Sequence, residues 1–494
     1  MNLALLFGAC CIGIALLLWV TPKGIGLYYD SMTYFESAEN LLAGLGLGRV
    51  ACEAFKPLTR HPPLYSLLLA ALNASGVALP IAGRLVSGLA LGLTSVLAGA
   101  SVWRGTRSRL LMLLALVWVL VSAPVLNVFS WAMSEPLYVV LSLAALLAID
   151  ALLASPGPRV VLVAAGLAAL AFLTRYVGVL LILGCGLLLA REAARHRFSW
   201  RDLGIFFVIA CAPMAIWLAR CLAVAGNATG GRTLAYNPPE RGLLRQGADT
   251  VIGWFVPAEA LHSEESAATV LLAIALIVTL VYVALRSRRL GNAAGTGLAD
   301  LHVATSLAYL AGVLGSIMLF DSTTPLDDRI LIPTYISLGI VLLILAGQGM
   351  RARLVLPAIV ALVAFLVLAV RQVGQLGDAL VRLRADGQGY AAARWVQSEV
   401  ASRLEELDPT TIYTNDLTAV YFVSHDHACG IPTQYAEDDL TRMRDRLQEK
   451  GSVLAIFGLV SSEFMPLERL TDGLSVVETL ADGSLYIGGM DAAP

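Results

Sequence analysis

Asp30 stands near the start of the stretch YYDSMTYFESAENLLAGLGLG, just beyond an apolar segment, and Lys56, Arg60 and His61 follow within AFKPLTRHPPLYSLL. Further charged residues recur at the edges of later apolar segments: Glu135 in MSEPLY, Arg175 in LTRYVG, and Asp327, Asp328 and Arg329 in LDDRILIP. A carboxylate can take a proton from a hydroxyl, and fixed cations stabilise an anion as it forms or departs. Three cations beside a lone acid therefore point to an anionic partner. Each residue also has a plainer use. Asp is a preferred N-cap, and surface cations snorkel or meet lipid headgroups. Glu135, between Ser134 and Pro136, suits a helix start, and Arg175 can simply end a span. On residue chemistry alone, cap and chemical group both stand for Asp30.

The elements that must hold these residues follow from composition. Of 494 residues 58% are hydrophobic and 14% charged, with a mean hydropathy of +0.76. That is outside the range of soluble globular chains and marks a polytopic membrane protein. The net charge of -2 says little about partners, because the position of the arginines matters more than their sum, and no nucleic-acid signature is present. About eleven apolar runs are long enough to span a bilayer, near 2–20, 79–102, 109–126, 131–154, 159–174, 176–191, 203–225, 268–285, 302–320, 330–348 and 354–371. The first is read as a retained helix, since it lacks the basic flank and small-residue cleavage site of a signal peptide. The stretch at 62–72 is too short to span and reads as re-entrant. With residue 1 inside, the basic loops RGTRSR, REAARHRFSWR, RSRR and RAR all fall on the cytoplasmic side. Every polar residue named above then lies on the outer side. There, Met32, Phe35, Ala38 and Leu42 repeat at helical spacing in the loop 21–63, predicting an amphipathic helix lying in the membrane interface.

Residues 1–372 thus form a transmembrane domain, and 385–494 read as a small extracytoplasmic α/β domain. Within it, helices are predicted at 390–407 and DDLTRMRDRLQEK, and strands at TIYTND, AVYFVS, VLAIFGLV and SLYIGG. Five of the seven cysteines lie in apolar runs and act as packing residues. Cys52 and Cys429 lie outside the membrane; whether they pair is open, two free thiols being the plainer reading. His425, His427 and Cys429 fit no zinc spacing and read as a surface turn.

In their order along the chain, YYDSMTYFESAENLLAGLGLG, HPPLYSLLLAAL, SEPLYVVL, LTRYVGVLL and DRILIP resemble the GT-C glycosyltransferases over roughly residues 1 to 350. Nearest within that superfamily are the dolichyl-phosphate-mannose protein mannosyltransferases and the bacterial transferases that decorate lipid A with aminoarabinose or galacturonic acid. The resemblance implies an all-α polytopic fold of about eleven helices with the small α/β domain appended. It also implies a polyprenyl-phosphate sugar donor and a lipid, glycan or protein acceptor, at the outer face of the bacterial inner membrane. Asp30 would be the general base, and Lys56, Arg60, Arg175 and Arg329 would meet the donor phosphate. Tyr29, Tyr34, His61, Glu135, Asp327 and Asp328 would line the substrate cavity. Several relatives carry a second acid directly after the first, where this chain has Ser31. No nucleotide cradle is present, GLGLG being helix punctuation. No cofactor is therefore expected, and a divalent metal has no residue pair to support it.

A transporter or flippase is the alternative, because intramembrane charges also mark substrate pathways. The charges here gather at one face, where a transporter would bury them near mid-membrane. A non-catalytic scaffold binding through its tail is a third reading. A cavity opening on one face with Asp30 at its rim favours transfer, and a central site between two gates favours transport.

Overall fold

The computed structural model describes residues 3–52, 54–228, 230–232, 234–256 and 297–488. Ten of the expected apolar runs are helical: α1 Leu3–Val20, α4 Leu79–Thr106, α5 Arg109–Val121 with α6 Ala123–Phe129, α7 Glu135–Ala154, α8 Pro158–Thr174, α9 Gly178–Ala194, α10 Trp200–Ala225, α12 Leu298–Leu319, α13 Asp328–Arg351 and α14 Val355–Ala385. The run expected at 268–285, and the basic loop RSRR after it, lie outside the described residues. Six helices are long and apolar enough to cross a membrane, or seven with α5 and α6 counted as one span bent by 53°. The chain is a multi-pass membrane protein. Its bend falls at Ser122, whose extended backbone and the following Pro124 interrupt the helical ladder. Ser122 Oγ hydrogen-bonds Tyr335 Oη at 2.7 Å, which anchors the break to α13.

Without a hydrophobic drive between helices in lipid, close packing of small residues must bring them together. Gly13 on α1 faces Gly88 and Gly92 on α4, and a Cβ at any of the three would run into the opposing helix. Helices α4 and α13 are the most enclosed of the long helices, whereas α10 and α14 turn most of their surface outward.

Between α1 and α4 lie α2 (Tyr29–Leu42), the antiparallel hairpin β1 (Gly48–Ala51) and β2 (Ala54–Pro57), and α3 (Leu64–Ala74). At 11 residues, α3 is too short to span, as expected. Helix α2 departs from the expectation of a helix lying on the bilayer surface. Two of its polar positions are enclosed along with most of its apolar ones, Glu36 at 2% exposed and Asn40 at 8%, while Glu39 and Leu42 stay exposed. The reason is tertiary. The hairpin folds against the polar side, with Asn40 Nδ2 donating to the Gly48 carbonyl and Arg49 pairing with Glu36 at 2.6 Å.

Helix α11 (Arg241–Gly253) lies in the loop after α10. The C-terminal region is a five-stranded mixed sheet in the order β4–β3–β5–β7–β6, formed by β3 Thr411–Thr414, β4 Cys429–Gly430, β5 Ser452–Phe457, β6 Leu474–Leu480 and β7 Gly483–Gly488. Strands β3 and β5 are parallel, and β5, β7 and β6 antiparallel. β5 is buried along its whole length because both its faces are covered. Val453, Ala455 and Phe457 pack with Val400 and Leu404 of α15 (Glu399–Leu407), and Leu454 and Ile456 with Leu440 and Met443 of α16 (Glu437–Leu447). Three local expectations change. The helix expected from 390 begins at Glu399, where Ser398 caps it. AVYFVS is helical and not a strand, because Asp416 accepts from the Thr418 and Ala419 N–H groups and winds the chain into turns. Strands β6 and β4 were not anticipated.

Cys52 and Cys429 form a disulfide, with Cα atoms 4.5 Å apart. The plainer reading of two free thiols gives way because the fold brings the hairpin turn against β4.

Candidate active site

Five segments of the chain converge at one end of the helical bundle. Asp30 comes from the first turn of α2, His61 from the loop before α3, Ser134 and Glu135 from the start of α7, Arg175 from the end of α8, and Arg329 from the first turn of α13. Asp30 does not serve as the cap. Helix α2 starts on Tyr28, whose N–H donates to Ser31 Oγ at 3.0 Å. The serine found where relatives were expected to have a second acid therefore closes the helix end, and the Asp30 carboxylate is left for other contacts.

Those contacts are cationic on one side. Arg329 donates to Asp30 Oδ2 at 3.2 Å, and His61 Nε2 faces Oδ1 at 3.5 Å. Glu135, 3% exposed, meets Arg175 at 2.6 Å and Arg329 at 3.7 Å. The two acids and two arginines so balance one another, as buried charges must. Burial pushes the Asp30 carboxyl up, but His61 when protonated, with Arg329 and Arg175, outweighs it and leaves the group below its ordinary value. Burial first, then Arg175, Arg232 and Arg60, pull His61 down to about 4 against the opposing pull of Asp30. His61 is therefore neutral at pH 7, where the two arginines keep Asp30 ionised. The Asp30 side chain remains 26% exposed, so a base is both charged and reachable.

Of the remaining predicted residues, Tyr34 belongs to the cluster: it is buried, and its hydroxyl contacts His61 Nδ1 at 3.2 Å and Ser134 Oγ at 3.0 Å. Arg60 lies at the rim, more than half exposed, with Asp321 4.0 Å away. The others turn elsewhere. Lys56 is exposed on β2, opposite Arg49 in the hairpin register. Tyr29 accepts from Arg49 at 2.8 Å on another side of α2. Asp327 caps α13 by accepting from the Ile330 N–H, and Asp328 accepts from Trp254 Nε1 at 2.9 Å.

Sequence reasoning missed Ser134, Tyr65 and Arg232. Tyr65 packs edge-on to Tyr34 at 4.9 Å. Arg232 follows Gly230, whose backbone lies against that of Arg60 with no space for a Cβ. The GG pair just before Arg232 was the one signal that could have flagged that approach. Next to the cluster, a cavity between α7, α9, α12 and α13 is lined by Tyr138, Ser142, Leu181, Tyr309, Thr334 and Ser337. Tyr309 on its wall donates to the Ile330 carbonyl, adjacent to Arg329. Of the three residues read as a surface turn, His425 and His427 lie in the irregular connection before β4, with His427 Nδ1 3.1 Å from Glu36, whereas Cys429 is buried on β4 and in the disulfide. Among the described residues no group of three or more His, Cys, Asp or Glu side chains is arranged to hold a metal.

The fold is like that of solved structures that share little sequence with this chain. Over all of its length the chain superposes on all of ArnT from Cupriavidus metallidurans bound to undecaprenyl phosphate, with a TM-score of 0.52 and 13% identity. It also matches the arabinofuranosyltransferase AftD from mycobacteria (TM-score 0.51, 15% identity, 99% of this chain and 40% of that one). The archaeal oligosaccharyltransferase AglB from Archaeoglobus fulgidus, in complex with an inhibitory peptide and a dolichol-phosphate, gives 0.50 at 12% identity over 100% of this chain and 74% of that one. At such identities the likeness is one of fold. No protein-family model matches the sequence, and no curated protein matches it.

Proposed function

We propose that the chain is an integral-membrane glycosyltransferase that moves a sugar from a polyprenyl-phosphate donor to an acceptor hydroxyl, with Asp30 as general base. The observation that carries this reading is the Asp30 carboxylate, held ionised by Arg329 and Arg175 yet a quarter exposed, at one end of a fold shared with ArnT bound to undecaprenyl phosphate. In the reaction the acceptor oxygen bonds to the anomeric carbon and its proton passes to Asp30. The bond from that carbon to the phosphate oxygen breaks, and polyprenyl phosphate leaves with one more negative charge. Cations near the break stabilise that charge.

Of the four candidates, Arg60 best combines access with a weakly neutralised charge, its acid partner among the described residues being the distant Asp321. Arg175 and Arg329 share their charge with Glu135 and Asp30, and act on the phosphate and the base together. Lys56 would meet the donor only at the outer edge. The basic loops support an inside N-terminus, eleven spans and a C-terminal domain outside the bacterial inner membrane. A transfer assay on purified wild-type and Asp30→Asn protein tests the assignment: loss of turnover with donor binding kept supports it, and near-normal turnover refutes it. A fusion reporter after residue 494 active only in the cytoplasm would refute the topology.

A further inference from the structure

Two groups near the acceptor position could take a proton, Asp30 and His61, and they lie 3.5 Å apart. We propose that a one-way hydrogen-bond chain, Arg175 to Ser134 to Tyr34 to His61 to Asp30, fixes His61 as a donor and leaves Asp30 as the sole base. The inference rests on the reading of Asp30 given above and adds Ser134, Tyr34 and His61 as positioning residues.

The polarity of the chain follows from its carboxylate end. A guanidinium can only donate and an ionised carboxylate can only accept. Arg175 NH1 donates to Ser134 Oγ at 3.3 Å, so the single hydroxyl proton of Ser134 is free to point at Tyr34 Oη, 3.0 Å away. Tyr34 Oη, accepting there, turns its own proton to His61 Nδ1 at 3.2 Å. A neutral imidazole with Nδ1 accepting carries its proton on Nε2, and Nε2 is the atom that faces Asp30 Oδ1. Each step uses the one proton available; the carboxylate end sets the direction, and the arginine end is compatible with it, since Ser134 can accept from Arg175 and still give its proton to Tyr34.

The arrangement removes a competitor. The basic lone pair of His61 is covered by Tyr34, so the ring cannot take the acceptor's proton. Its Nε2 is buried without a bonded partner; at 3.5 Å it is aimed at Oδ1 but beyond ordinary hydrogen-bond length. Such contacts commonly tighten when substrate is bound. Arg329 already holds Oδ2, so a tightened contact from Nε2 to Oδ1 would hold the carboxylate by both oxygens and fix its rotation. Of the charged groups around the ring, Asp30 of α2 favours a second proton, whereas Arg175 from the end of α8, Arg232 from the loop after α10 and Arg60 from the loop of His61 itself oppose it. Burial, helped by these three cations, outweighs the one anion and keeps the imidazole from gaining a second proton.

The test reads the tautomer directly. The full-length protein is labelled with 15N-histidine and reconstituted in lipid nanodiscs, and the His61 signals are assigned by their loss in His61→Gln. At pH 7 the wild type should show a protonated Nε2 and a bare Nδ1. Tyr34→Phe, which keeps the ring packed on Tyr65, should give a mixture of tautomers. It should also lower kcat by about 10- to 100-fold, as loss of orientation does, with donor KM unchanged. A His61 protonated on Nδ1 or on both nitrogens in the wild type, or signals unchanged by Tyr34→Phe, overturns the chain. The tautomer is measured without turnover, so the two readings fail separately. A protein showing the Nε2–H form but transferring no sugar upholds the chain and sinks the transferase. Transfer by a protein with the Nδ1–H form does the reverse.

Discussion

Asp30 and Glu36 lie less than two turns apart on α2, yet the fold treats the two carboxylates differently. Glu36 is 3% exposed and fully engaged: Arg49 of the hairpin holds one oxygen at 2.6 Å, and His427 of the C-terminal region faces the other at 3.1 Å. Nearby, Tyr421 donates to Glu39 at 2.8 Å, Phe422 packs edge-on to Phe35, and the Cys52–Cys429 disulfide ties the hairpin to β4. That side of the helix is a fastening between the hairpin, α2 and the C-terminal sheet. Asp30 meets cations as well, but through longer contacts and with about a quarter of its side chain open. An acid that fixes structure is best wholly enclosed, whereas one that must meet a substrate keeps a free lone pair and an approach. Similar charges thus distinguish a fastening from a candidate site by enclosure and distance, not by residue type.

The contrast is broken or sharpened most strongly by exchanging each acid for its amide. Asp30→Asn should lower turnover by about 10²- to 10⁴-fold with the fold intact, while Glu36→Gln should retain turnover and lower the melting temperature. Paired transfer assays and thermal melts check this, and the opposite pattern would reverse the roles of the two sides. Next in size is the disulfide. Cys52→Ser should destabilise the docked C-terminal region by about 2–4 kcal/mol, read as faster proteolysis after residue 385, with turnover maintained. Arg329→Ala removes a charge shared between base and donor and should cost about 1.5–3 kcal/mol in kcat/KM; steady-state kinetics with varied donor measure it. The smallest effect concerns pH. The hydrogen bond to Glu36 raises the His427 pKa against the opposing effect of burial, helped by the charges of Glu36, Glu39 and Asp426. A raised folded value means that protonation favours the docked state. The contribution is complete below about pH 6.5, the unfolded value, and fades as pH rises through the folded one. Being half exposed, the pair is worth little. Protection of the amides across residues 420–430, taken relative to the intrinsic exchange rate at each pH, should therefore fall modestly between pH 6 and 9 in the wild type and not in His427→Gln.

The candidate site was partly legible because its residues carry local signals: an acid at a helix start, arginines at helix ends, and a proline-flanked histidine. Their partners were not, since Asp30 and Arg329 are separated by 299 positions and no periodicity reports which helix ends meet. Ser134 was overlooked because a serine before a helix is common. Tyr29 and Asp328 lie beside Asp30 and Arg329 in sequence, but successive helical residues point about 100° apart, and their side chains meet Arg49 and Trp254 respectively.

By itself the sequence determined that the chain is a bundle of membrane helices, where most of them run, and that a lone acid opens the helix after the first apolar run. These are properties of contiguous stretches: a span needs only enough apolar residues in a row, because bilayer thickness sets its length. Only the tertiary structure decided that α2 is enclosed by protein, that Cys52 finds Cys429, that AVYFVS winds into helical turns, and that Asp30 is left uncapped between Arg329 and His61. Each depends on which surfaces meet. A carboxylate's charge, partners and exposure are set by groups brought from elsewhere in the chain, and in a low-dielectric interior those neighbours outweigh anything its own segment encodes.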